Sequence, residues 1–187
     1  MPRTIPLNPE NKAIHAQIGK AIEAFAMVEG AQAMLIQKLL NIDLQSAYAI
    51  FFAVQNVPSR NEMLTTLIRV RHGGKYDSYW RSCRVFLQKL AEFRNALAHW
   101  HPVVSVFTDK EMNERRFEYE IMDIRPSKST AAIGVDGISP FIEDCRIIQQ
   151  ALAQFAGVLG NDPQFSQYQD AVTKPMSHRN KATIHTR

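Results

Sequence analysis

Residues 77–101 read DSYWRSCRVFLQKLAEFRNALAHWH. Trp80, Cys83, Phe86, Leu87, Leu90, Phe93, Leu97 and Trp100 recur at spacings of three and four, which gathers them on one broad face of a helix. Pro102 stops it, because the residue before a proline is pushed out of helical geometry. Away from the apolar face, Arg84, Gln88, Glu92, Asn95 and His99 succeed one another at three- or four-residue steps and form a polar stripe. Arg94 and His101, seven residues apart, lie on the adjoining face. A helix with so wide an apolar face must pack against other helices.

Those partners can be read on either side. Upstream, Asn8 or Asn11 caps a first helix running to about Leu40, with Ile14, Ile18, Ile22, Phe25, Leu35, Ile36 and Leu39 as its apolar stripe and Glu29 interrupting it. Asp43 caps a second helix, Leu44 to about Gln55. Pro58 breaks the chain, and Ser59-Arg60-Asn61-Glu62 has the capping-box spacing for a third helix that ends at His72-Gly73-Gly74. Downstream, Val103–Thr108 and Arg115–Asp123 alternate as strands, predicting a small β-hairpin over about 103–123. Ser139-Pro140 opens a fifth helix to about Leu159. The expected fold is mainly α: an up-and-down bundle of four to five helices in one domain, 1–160, with a hairpin before the last helix. Residues 161–187 are polar and weakly patterned, and read as a loosely ordered tail.

Composition narrows the function classes. With 45% hydrophobic and 21% charged residues the chain is globular rather than disordered. Its longest apolar run, Ala47–Val54, is too short to span a bilayer, and the first residues lack the pattern of a signal peptide, so no membrane partner and a cytoplasmic location are expected. Cys83 and Cys145 are expected as buried, reduced thiols. The net charge of +4 is unevenly placed: residues 58–101 hold eight basic residues against three acidic ones, a net +5, leaving −1 for the rest. That balance fits either an anionic partner such as RNA or a solvated pair of helices; Arg60, Arg81, Arg84 and Lys89 are the candidate RNA contacts.

An Arg, an Asn and two His around one helix end suit phosphodiester chemistry without a metal. Arg94 offers a permanent bidentate phosphate clamp. His99, with His101 nearby, can move a proton to or from ribose oxygens, and Asn95 can fix a tautomer or the substrate backbone. His99 and His101 lie about 200° apart on a helix, which argues against a metal set.

The string Arg94-Asn95-Ala96-Leu97-Ala98-His99 resembles the Arg-Asn-x-x-x-His motif of the HEPN (higher eukaryotes and prokaryotes nucleotide-binding) domain family, and helix order extends the resemblance over about residues 10–160. The resemblance implies a metal-independent endoribonuclease without cofactor, often a toxin or defence protein with a cognate antitoxin. Two copies would share a composite cleft, with Arg94, Asn95 and His99 catalytic. Other members of the family are non-catalytic RNA-binding or protein-scaffolding modules. His101 departs from the tyrosine of one antitoxin-regulated subgroup. The family also has an acidic residue on the inner face of the first helix, matched here by Glu29. A carboxylate on an apolar stripe needs a partner, and Arg94 or Asn95 of the fourth helix is the first expectation. A near-repeat of the motif, Arg179 to His185, lacks apolar periodicity and is read as fortuitous.

Overall fold

In the computed structural model, backbone is described for residues 9–99, 101–109, 114–122, 132–134 and 137–176, and side chains within 12–99 and 137–176. The first helix, α1 (Pro9–Leu40), is the spine. Ala21, Phe25, Val28, Gln32, Leu35 and Leu39 follow at alternating steps of four and three, and all six are buried. Its longest seam is with α5 (Ile138–Leu159), which contributes Phe141, Cys145, Ile148, Leu152 and Phe155. Helices α2 (Leu44–Ala53), α3 (Val57–His72) and α4 (Asp77–His99) complete the helical bundle, with Phe51, Leu64, Ile68, Trp80, Leu87, Leu90 and Leu97 in the shared core. Between α4 and α5 the backbone carries β1 (His101–Asp109) antiparallel to β2 (Glu114–Met122), and β2 antiparallel to β3 (Ala132–Gly134). Among the described residues no helix is long and apolar enough to cross a membrane.

A buried polar chain ties α1, α3 and α4 together. Gln32 donates from Nε2 to Asn61 Oδ1 at 3.1 Å. The Thr65 hydroxyl donates to the Asn61 carbonyl at 2.7 Å and accepts from Trp80 Nε1 at 2.8 Å and Arg84 Nη1 at 3.1 Å. One hydroxyl thereby uses its donor and both lone pairs.

Two boundaries differ from the sequence reading. The third helix does not start at Ser59: its N-cap is Asn56, whose Oδ1 accepts from the Ser59 N–H at 2.8 Å, and Pro58 sits inside the first turn. A proline there interrupts nothing, because the first-turn N–H groups have no intrahelical acceptor anyway. The polar segment after Leu159 is not loose through residue 176. Short 3-10 turns cover Pro163–Tyr168 and Ala171–Thr173. Phe165 lies so close over Gly157 that a β-carbon there would overlap its ring, Val172 is buried, and the Met176 N–H donates to Ser82 Oγ at 2.8 Å. Three contacts spread over twelve residues anchor a segment whose composition alone predicts none. The α1 cap expected at Asn8 and the near-repeat at 179–185 lie outside the described residues, and Asn11 falls within α1.

Candidate functional site

Where α4 crosses the corner between α2 and α3, the helices leave a cleft of about 290 Å³. One wall is the polar stripe of α4: Gln88, Glu92 and Asn95, with Arg94 and Ala91. The other is Gln55-Asn56-Val57-Pro58, with Arg60 of α3; Phe25 and Glu29 of α1 complete it. The stripe is held in place because the residues behind it are fixed: Leu87, Leu90, Ala91 and Leu97 are buried, and Phe93 stacks on Phe141 with centroids 4.6 Å apart.

Arg94 is half-buried at the boundary between these faces. Its Nη1 donates to Asn95 Oδ1 at 3.1 Å, and its guanidinium carbon stands 5.9 Å from the Phe25 ring centre. Nε is buried, and among the described residues it meets no hydrogen-bond acceptor. An unpaired N–H at the edge of a permanently charged group is costly, and an oxyanion presented to Nε and its neighbouring nitrogen would satisfy it.

Glu29 is paired, but not as the sequence reading expected. Its partner comes from α3, not α4: Arg60 Nη1 lies 2.5 Å from Glu29 Oε1, with the two side chains 10% and 15% exposed. Arg60 also donates from Nε to the Val54 carbonyl at 2.7 Å, and its guanidinium carbon lies 4.5 Å from the Phe51 ring centre and 5.2 Å from that of Phe52. Val54 is the C-cap of α2, so Arg60 satisfies a helix-end carbonyl while it neutralises Glu29. The reason is geometric. Phe25, Glu29 and Gln32 share the face of α1 that α3 approaches, and Arg60 stands one residue from Asn61, the partner of Gln32. With its donors committed inward, Arg60 is a structural residue here and not a surface cation.

The remaining sequence candidates separate. Arg84 bonds Thr65 and lies 3.5 Å from Glu62, both partly exposed. Arg81 is exposed and lines another groove on α4 with Ser78, Ser82, Val85 and Pro175; Lys89 is exposed. His99 is exposed at the last residue of α4, one turn, about 6 Å by helical rise, beyond Asn95. It does not line the cleft. The His101 backbone opens β1, and its side chain lies outside the described residues. The structure thus brings Arg94, Asn95 and Glu29 together and leaves His99 at the rim. Among the described residues, no three His, Cys, Asp or Glu side chains gather as a metal set.

The wall Gln55–Pro58 was missed by the sequence reading. Its only local signal is a polar corner before a proline, and nothing local says that this corner faces α4. Exposed apolar side chains concentrate on α2: Leu44, Tyr48 and Phe52, at four-residue steps, and Ile50, with Met27 on α1. On α4 only Val85 is a large exposed hydrophobe among the described residues. Comparisons of the chain with protein-family models, with curated proteins and with solved structures give no match.

Proposed function

We propose that the protein is a HEPN-like, metal-independent endoribonuclease that works as a homodimer, with Arg94, Asn95 and His99 as its catalytic set. The observation that supports this reading most is Arg94, which lines a polar cleft with a buried Nε that meets no acceptor among the described residues, while exposed His99 lies one helical turn beyond its partner Asn95. In the reaction, the ribose 2′-oxygen attacks the adjacent phosphorus, the 5′-oxygen of the next nucleotide leaves, and a 2′,3′-cyclic phosphate remains. Arg94 steadies charge on the non-bridging oxygens, and His99 moves the proton. Asn95, bonded to Arg94, orients the guanidinium. Arg81, Arg84 and Lys89 supply the backbone contacts along α4. A toxin role with a cognate antitoxin belongs to the same proposal.

A second reading rests on a specific observation: His99 lies outside the cleft of a single chain, and the charges lining that cleft cancel, Glu29 and Glu92 against Arg60 and Arg94. A non-catalytic RNA-binding or scaffolding module needs neither a seated histidine nor a net positive cleft. One experiment separates the two. Purified protein is incubated with a transcript pool in excess EDTA, and the ends of the products are analysed. The enzyme reading expects 2′,3′-cyclic phosphate ends, no cutting of DNA or 2′-O-methyl RNA, and a fall of at least ~10²-fold in Arg94→Ala and His99→Ala. Salt-sensitive binding without cleavage supports the module instead.

A further inference from the structure

We infer that Glu92 makes the cleft a guanine-reading subsite, placed to select the base beside the phosphate that Arg94 holds; this rests on the phosphodiester reading of Arg94. Three features of the cleft lead there. Its lining is electrically balanced, and Arg60 is spent on Glu29 and Val54, so it offers one guanidinium, that of Arg94, and otherwise amides and the Glu92 carboxylate. Such a lining suits one phosphate with one neutral, hydrogen-bonding ring, not a run of phosphates. Its volume of about 290 Å³ accommodates a base and part of its sugar.

The third feature is the direction of the hydrogen bonds on the α4 wall. Gln88 donates from Nε2 to Glu92 Oε1 at 2.9 Å. That bond steadies the carboxylate one turn below Asn95 and leaves both Glu92 oxygens with lone pairs free to accept. A carboxylate with both oxygens free to accept selects a ligand edge made of two donors. Of the four RNA bases only guanine has two adjacent donors, N1–H and the 2-amino group, on its Watson–Crick edge, and their spacing matches the two oxygens of one carboxylate. Adenine and cytosine place a ring acceptor beside their amino group, which a carboxylate repels. Uracil has one imino N–H between two carbonyls. A base that turns an acceptor toward these two carboxylate oxygens is disfavoured, because like lone pairs then face each other.

The probes are guanosine, inosine and uridine 5′-monophosphates and inorganic phosphate, titrated calorimetrically into the full-length protein. Guanosine monophosphate is expected to bind roughly tenfold or more tightly than uridine monophosphate. Inosine monophosphate, which lacks the 2-amino group, falls between them. Glu92→Gln should erase the preference while leaving inorganic phosphate binding unchanged; Arg94→Ala should weaken every probe. Equal binding of the three nucleotides, a preference that survives Glu92→Gln, or no nucleotide binding at all each overturns the subsite. Because the readout is equilibrium binding, those results leave the ribonuclease reading to stand or fall on the cleavage assay. Conversely, a guanine preference in a protein that cuts no RNA would retain the subsite and remove the enzyme.

Discussion

Arg60→Ala tests whether the α1–α2–α3 corner depends on one guanidinium. The substitution leaves the Glu29 carboxylate without its partner at 15% side-chain exposure, frees the Val54 carbonyl, and removes a cation from the Phe51 and Phe52 rings. Breaking a fully buried pair from one side costs about 3–5 kcal/mol; the residual solvent access of Glu29 places its share near the bottom of that range or somewhat below, roughly 2–3 kcal/mol. The lost charged hydrogen bond and the cation–π contact add about 1 kcal/mol together, after allowance for their overlap. The expected loss is about 3–4 kcal/mol, or roughly 6–15 °C in Tm for a chain of this size. Urea unfolding followed by helical circular dichroism measures it. The double variant Glu29→Leu with Arg60→Met, which removes both charges and fills the space, should recover at least about 1.5 kcal/mol relative to the sum of the singles. An Arg60→Ala loss below about 1 kcal/mol, or singles that add within about 0.5 kcal/mol, would refute the reasoning. A surface Arg60 that contacted RNA would leave stability unchanged and weaken binding instead.

Gly157→Ala drives a methyl group into the Phe165 ring, where a β-carbon would lie 2.2 Å from Cδ2. The expected cost is about 1–3 kcal/mol, with faster amide exchange across residues 161–176 and little change in α2. Unchanged exchange there would show that Phe165 does not anchor the segment. Burial pushes both the Cys83 and the Cys145 thiols up to about 12, so a thiol reagent at pH 8 should find neither in the folded protein and both after denaturation. The sign follows: the folded state keeps these protons when the unfolded chain has lost them, so the associated stability is present below about pH 8.5 and falls as pH rises toward 12. Cys83→Ser and Cys145→Ser should each flatten that alkaline limb. An unfolding profile that is level between pH 8 and 10 would contradict the assignment.

What sequence settled is what depends on local periodicity. The apolar face of residues 77–100 and the stripe of α1 each require a helix and a partner, and the helical bundle follows from putting such elements in order. The stripe Gln88–Glu92–Asn95 was legible for the same reason: residues three and four apart on a helix share a face wherever that helix is packed. That Glu29 needs a partner was also readable, because a carboxylate on an apolar stripe cannot be left unpaired. Which partner it takes was not readable. Arg60 and Arg94 were equally available cations in the sequence, 31 and 65 residues from Glu29, and only the packing of α3 against α1 brings the first within bonding distance while turning the second toward the cleft. The same holds for the corner Gln55–Pro58, which becomes a wall only because α4 passes beside it, and for Phe165, whose anchor is the missing side chain of Gly157. Periodicity is a property of neighbours along the chain. Partnership across the chain is decided by crossing geometry, where a single residue's rotation about a helix axis, about 100°, separates a buried salt bridge from an open guanidinium.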